Sequence, residues 1–336
     1  MNQLQNPRIM QRLSLLVLLL GSLSTGVLAQ TAQLVVMSST CSVTGATGGG
    51  SAVLYAADCK DFNRRLLPGD RLPSSPEACI HVPAHCRLKF LYEGRTIEPE
   101  PGTRHFIRDI LPKETKASRL SFTSRFLAFV GKCIDETTDE KKMLTNYREN
   151  MSLRAGIKGF GTREYAIQVP LLTEGKVSTD LISFTWNDGE HTDPFLFRLY
   201  RQHDKMDLML KKITDPRLQL TRGAVHLEPG ESYTWFVTSA SDPARQSEPM
   251  TFVFDPEGAE KLMADLAEVP EFREGSEVEK TLMYAYALEE NQYYYDAAAV
   301  WEATLGTYTD NRLIRDLAAS FYARMNMMPQ ALATLR

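Results

Sequence analysis

The run VEKTLMYAYALEENQYYYDAAAVWEATLGTYTDNRLIRDLAASFYARMNMMPQALATLR, Val278 to Arg336, decides the reading of the fold. Ala285 and Ala319 lie 34 residues apart, and so do Ala297 and Ala331. Within each unit the two alanines are 12 residues apart, with a polar, turn-like spot between them: Asn291-Gln292 in the first unit, Asn326 in the second. A period in this range marks a stacked helical repeat. Each unit predicts a helix pair: 278–290 with 293–308, then 311–325 with 329 to the end. Small residues stand where paired helices touch, and Leu288, Trp301, Tyr322 and Leu335 stand beside them. Such a unit cannot bury its apolar face alone, so it stacks on a neighbour and presents a groove. A groove of this kind implies a scaffold that holds a partner.

Working outward, Val269-Pro270 breaks a helical stretch at 256–267, and Asp255-Pro256 closes a region of strands. The strand candidates there are 165–169, 181–186, 194–200, 207–213, 225–227, 233–238 and 250–254. Short strands separated by turn residues predict a sandwich over 165–254. Residues 111–164 read as a helical connector between two β units. Ser118 is placed to cap a helix carrying Leu120, Phe122, Phe126, Leu127, Phe129 and Val130. Asp135 to Lys142 is charged and reads as solvated. Met143, Leu144 and Tyr147 give a second short helix its apolar side, and Gly156, Gly159 and Gly161 interrupt regularity. From Gln33 to about Ile110 the chain is β-like again, with short strands around turns at Gly48-Gly49-Gly50, Pro68-Gly69-Asp70 and Pro101-Gly102. The fold class expected is multidomain α+β: a small β domain at 30–110, the connector, an immunoglobulin- or fibronectin-like sandwich, and helical hairpins at 255–336.

The N-terminus reads as an export signal. Arg8 and Arg12 form a basic start, Leu13 to Leu20 an apolar run, and Val27-Leu28-Ala29 a cleavage site after Ala29. Gly21, Ser22, Ser24, Thr25 and Gly26 stop the apolar run short of the roughly 20 residues of a membrane span, and no later stretch is expected to span a bilayer. The mature chain is therefore expected outside the cytoplasm, periplasmic or secreted. Of the five cysteines, Cys41, Cys59, Cys79 and Cys86 fall in the first domain and Cys133 in a helix. Oxidising conditions favour at least one disulfide, with three pairings open among the four.

Three resemblances attach to these residues. Val278–Arg336 resembles the tetratricopeptide repeat, with Gln292 and Asn326 where glycine is usual between helices. Two units fall below the usual three, so the helix at 256–267 and the sandwich are expected to cover the exposed faces. In that family the first helix of each pair lines the concave groove. Carried onto this register, the groove positions are Glu279, Leu282, Tyr286, Glu289 and Glu290, then Leu313, Asp316, Ser320, Ala323 and Arg324. The set is more acidic than basic, which implies a groove ligand carrying Lys or Arg. Leu227-Glu228-Pro229-Gly230-Glu231-Ser232-Tyr233-Thr234-Trp235-Phe236-Val237 is similar to the fibronectin type III pattern, in which the tyrosine hydroxyl bonds back to the chain at a corner. Trp186 stands where such domains carry a core tryptophan. Leu67-Pro68-Gly69-Asp70-Arg71-Leu72, then Tyr92-Glu93-Gly94-Arg95-Thr96-Ile97-Glu98 and Glu100-Pro101-Gly102-Thr103, resemble the FecR-like extracytoplasmic β domain. Sensor members of that family relay a signal through a cytoplasmic segment. This chain shows none, so that role is not expected.

Chemistry-bearing patterns are sparse. Cys79-Ile80-His81-Val82-Pro83-Ala84-His85-Cys86 has metal-ligand residue types, but its spacing matches no standard zinc pattern, and exported thiols tend to oxidise. No metal or other cofactor is expected. There is no Gly-x-Ser-x-Gly elbow and no His-Glu-x-x-His helix. His191 and Asp193 sit in a Gly/Asp/His turn, and Gly45 to Gly50 lacks the Lys-Ser/Thr of a phosphate loop. Glu289-Glu290 at a helix end read also as plain solvated acids. Tyr284, Tyr286 and Tyr293-Tyr294-Tyr295 read first as helix packing and second as a contact surface. With 24% charged residues, a net charge of −4 and no basic patch, nucleic acid is not an expected partner. The sequence thus predicts an exported, non-enzymatic adaptor for another protein. The alternative is a binder of a cell-envelope polymer, glycan or peptidoglycan, through the first β domain, with Phe90, Tyr92 and Phe106 as its aromatics.

Overall fold

The computed structural model describes residues 33–41, 53–57, 59–60, 62, 64–73, 77–92, 95–111, 121–145, 147, 166–189 and 193–336. The export signal, Gly45–Gly50, Glu93-Gly94, Ser118, Leu120, Gly156–Gly161, Tyr165 and His191 lie outside them. The architecture is multidomain α+β, with β sheets in the first and middle parts and helices at the C-terminus.

The first β unit has two four-stranded sheets. One runs β4 (Arg71–Pro73), β1 (Gln33–Cys41), β6 (Cys86–Tyr92), β7 (Arg95–Ile97). The other runs β3 (Arg64–Arg65), β2 (Leu54–Ala56), β5 (Cys79–Val82), β8 (Thr103–Phe106). Side chains alternate along a strand, and β1 uses both faces. Leu34 and Val36 join Leu72, Ile80, Val82, Leu88 and Phe90 in the unit's own core. Val35 and Met37, with Leu91 of β6, join the larger core shared with the rest of the chain. Disulfides Cys41–Cys86 and Cys59–Cys79 tie the unit, which is the covalent state favoured in an oxidising compartment.

The middle unit sets a five-stranded sheet, in the order β12 (Asp207–Ile213), β11 (Phe195–Arg201), β14 (Ser232–Ser239), β15 (Met250–Phe254), β9 (Gly175–Val177), against the pair β10 (Leu181–Thr185) and β13 (Arg217–Thr221). Phe184, Phe197 and Trp235 meet between the sheets with ring centroids 5.1–5.8 Å apart. Trp186 lies edge-on to Phe195 at 5.4 Å. The Tyr233 hydroxyl accepts a hydrogen bond from the Glu228 N–H at 2.7 Å, which fixes the corner before β14.

Several expected strands are corrected. Residues 225–227 are not extended: Arg222–Val225 is one helical turn, and His226 stops it in the left-handed region at φ 51°. Of the expected strand 165–169, the described residues 166–169 carry isolated bridges at Ile167 and Gln168. Two strands went unforeseen. β13 alternates exposed and buried residues, with Leu218 and Leu220 inward. β9 is three residues long and pairs in parallel with β15, so it has no periodicity to show.

Helices complete the described part of the chain. The first, α1, spans Phe122–Glu136 and is capped by Ser121, which accepts from the Ser124 N–H at 3.1 Å. This cap replaces the expected Ser118, which lies outside the described residues. After Asp255 come α2 (Pro256–Ala267), the short α3 (Pro270–Glu274) and the hairpins α4 (Glu277–Glu290), α5 (Tyr294–Thr307), α6 (Arg312–Arg324) and α7 (Met328–Leu335). A capping box between Ser276 and Glu279 starts α4. Ala285, Ala297, Ala319 and Ala331 are fully buried, as close helix contact requires. Gln292 and Asn326 take positive φ, 66° and 60°, at the two turns.

The hairpins are not a free tail. The segment before and within β9 crosses both turns: the Leu171 N–H donates to Met325 O at 2.9 Å and the Lys176 N–H to Gln292 O at 2.8 Å. Asn326 Nδ2 donates to Val169 O at 3.0 Å. Gly175, at φ +94°, lies so close to Gln292 that a Cβ would collide with its carbonyl. No helix among the described residues is long and apolar enough to cross a membrane.

A candidate docking groove on the helical hairpins

Glu279, Leu282, Tyr286, Glu289 and Glu290 fall on α4 at spacings that place them on one side of a helix, and Leu313, Asp316, Ser320, Ala323 and Arg324 do the same on α6. The structure brings the two rows together into one surface. It departs from the expectation that this surface stands open. Glu279, Leu282, Tyr286, Glu289, Leu313, Asp316, Ser320 and Ala323 are all buried, with α1 and the first β unit lying against this surface.

The contact begins with aromatic rings. Phe122, Phe126 and Phe129 of α1 surround Tyr286, with centroids 5.5, 5.7 and 4.8 Å away. Arg125 Nε donates to Glu290 Oε1 at 2.7 Å and Nη2 to Oε2 at 3.2 Å. The Tyr286 hydroxyl donates to the same carboxylate at 2.6 Å. These hydrogen bonds overcome the burial that would raise the Glu290 carboxyl, and hold it below the usual range.

Further along α1 the contacts become ionic. Arg324 stacks over Phe129 at 5.3 Å and donates to Glu289 Oε2 at 2.5 Å. It also reaches Ser320 Oγ, Glu136 Oε2 at 3.5 Å and the free thiol of Cys133 at 3.5 Å. Ser320 Oγ donates to Glu136 Oε2 at 2.6 Å, and Trp301 Nε1 to Glu289 Oε1 at 3.1 Å. Burial alone would lower the Arg324 guanidinium, but the surrounding Glu289, Cys133 and Glu136 raise it, so it stays a cation. Burial pushes the Glu289 carboxyl and the Cys133 thiol up. The expectation of solvated acids at Glu289 and at Glu136 is thereby corrected: both meet a buried arginine.

The first β unit closes the end of the surface. Lys89 Nζ pairs with Glu279 Oε1 at 2.6 Å. Arg71 Nη2 lies 3.5 Å from Asp316 Oδ2 and donates to Ile134 O of α1 at 2.7 Å. Burial pushes the Asp316 carboxyl up, against the pull of Arg71 and Arg312. The Lys/Arg complement that the acidic groove implied is thus present within the chain itself, as Arg71, Lys89 and Arg125. Sequence reasoning missed these partners, although Phe122, Arg125, Phe126 and Phe129 already carried the stripe of a groove-binding helix.

The remaining candidates fall elsewhere. Cys86 is bonded to Cys41 of β1 and Cys79 to Cys59 in the loop after β2, so the Cys/His cluster offers no thiolate. Asp193 accepts from Ser241 Oγ. Tyr293 donates to Asp255 at 2.7 Å, and the Tyr295 hydroxyl accepts from the Ser183 N–H at 2.9 Å, so these tyrosines fasten helices to sheets. Tyr284 instead faces an open cleft of about 490 Å³ with Met263, Phe272, Val300 and Tyr308, on α2 to α5. Neither protein-family models nor curated proteins give a match to this chain.

Proposed function

We propose that this chain is an exported, non-enzymatic adaptor that holds another protein in the periplasm or at the cell surface. The observation that carries the reading is the seated helix: α4 and α6 hold α1 through one aromatic platform and a row of ion pairs, which is how grooves recognise amphipathic helices. The two disulfides support maturation in an oxidising compartment. In this reading the first unit is FecR-like, the middle one fibronectin type III-like and the hairpins tetratricopeptide-like, with the β units positioning the groove. Photo-crosslinking in the envelope of the producing cell, with the crosslinker placed at Glu290 on the groove rim, tests it. One discrete partner protein, lost in a Tyr286→Ala chain, is the expected result. Crosslinks to nothing but this chain's own α1 would refute the reading.

A second reading, a cell-envelope polymer binder, draws on the first β unit. Phe106 is 38% exposed with Arg108 stacked on it at 4.7 Å, and Arg104 lies 5.0 Å over Phe62. Of the other aromatics expected there, Phe90 is fully buried and unavailable. Co-sedimentation with purified sacculi, abolished by Phe106→Ala, would favour this reading over the adaptor.

A further inference from the structure

We propose that the α4–α6 surface is specific for an amphipathic helix with phenylalanine at positions i, i+4 and i+7 and arginine at i+3, and that α1 is a resident occupant which a partner helix of that pattern displaces. The proposal rests on the adaptor reading and names the partner's chemistry.

The pattern comes from the occupant. Phe122, Phe126 and Phe129 supply the rings around Tyr286, and Arg125 supplies the fork on Glu290. Three rings converging on one tyrosine form the dense aromatic centre typical of a binding hot spot. A bidentate arginine at its edge fixes register and direction.

Phe126, Leu127, Val130 and Ile134 of α1 belong to the larger core, but the α1 interface adds buried polar groups to them. The sheets of the middle unit meet through Phe184, Phe197, Trp235 and Phe252. The α1 contact also buries Glu289 and Ser320, with Arg324 and Glu136 beside them. Interfaces within a chain that carry this much polarity resemble transient protein–protein interfaces and permit relative motion. The polar groups that α1 satisfies here, Ser320, Arg324 and Glu290, would be satisfied equally by the same side chains on another helix.

Cys133 makes the exchange measurable. It is the free cysteine among the described residues, fully buried on the inner face of α1 and 3.5 Å from Arg324 of α6. Lifting α1 exposes it. The experiment uses the full mature chain with its disulfides intact. A synthetic peptide of residues 121–137 with Cys133→Ser serves as the competing helix, and the same peptide with Phe122→Ala, Phe126→Ala and Phe129→Ala as its control. Maleimide labelling of Cys133 is followed under native conditions.

The expected result is a several-fold faster labelling with the first peptide and none with the control. Arg125→Glu in the full chain should raise the labelling rate about 10-fold without peptide, and the double change Arg125→Glu with Glu290→Arg should bring it back. Labelling unchanged by either peptide, or seen only where the whole chain melts, would overturn the proposal and make α1 a permanent strut. Should Arg125→Glu prevent folding, the unmodified chain with the two peptides still decides. The failures are distinguishable: peptide exchange without any envelope crosslink sinks the adaptor reading, whereas a crosslinked partner with Cys133 still protected sinks displacement alone.

Discussion

Glu279 has two tasks. Its carboxylate closes the capping box at the start of α4 and holds Lys89 of the first β unit at 2.6 Å. Burial would raise this carboxyl, but the bonds from Lys89 and Ser276 outweigh it and place it below the ordinary range. A depressed carboxylate contributes stability above its unfolded value, about 4.3 for glutamate, and loses it as pH falls through the folded value. Glu279→Gln should therefore cost about 2 kcal/mol at pH 7, and the gap to the unaltered chain should shrink below pH ~4. Urea unfolding at both pH values checks this; an equal gap at both would rule out the charge. Gly69 carries a different constraint. It sits at φ +89°, and a Cβ there would meet the backbone of Arg312 and Leu313. Gly69→Ala should cost roughly 2 kcal/mol in thermal unfolding. Gly230→Ala, at φ +81° but facing open space, should cost about half that.

At the scale of elements, β14 shows what periodicity reveals. Tyr233, Trp235 and Val237 alternate inward, and Pro229-Gly230 sets the corner ahead of them. Tyr233→Phe leaves the Glu228 N–H without its partner and should lower stability by about 1 kcal/mol, read as a drop in melting temperature with the sandwich still formed. The hairpins were legible for the same reason: the alanines at 34-residue spacing mark where helices touch, and tight contact tolerates nothing larger. Elements without period were not legible. β9 has three residues and depends on β15 for its pairing. His226 in the left-handed region turned an expected strand into a helical turn. The groove rows on α4 and α6 followed from register, but their occupant did not. Arg125 and Glu290 are 165 residues apart, and Ser320 and Glu136 184. Local pattern says nothing about pairing over such distances.

Across the whole molecule, one continuous core runs from the sandwich through the hairpins to α1 and one face of β1, while a second core belongs to the disulfide-tied β unit alone. This division has a consequence under reduction. Cys41 and Cys86 close a loop with a sequence separation of 45, for which chain entropy gives about 4 kcal/mol. Cys41→Ser with Cys86→Ser should loosen the first β unit, seen as early proteolytic cleavage between residues 33 and 111, while near-ultraviolet dichroism from the tryptophans of the sandwich persists. The contact of α1 with α4 and α6 carries buried ion pairs and hydrogen bonds at the margin of the larger core, and there local opening should come first. Native-state hydrogen exchange measures that opening directly. The account requires the amides of α1, from Phe126 to Ile134, to exchange through an opening of lower free energy than those of β14, with the β14 amides still protected. Equal protection of α1 and β14, both exchanging only through global unfolding, would contradict it.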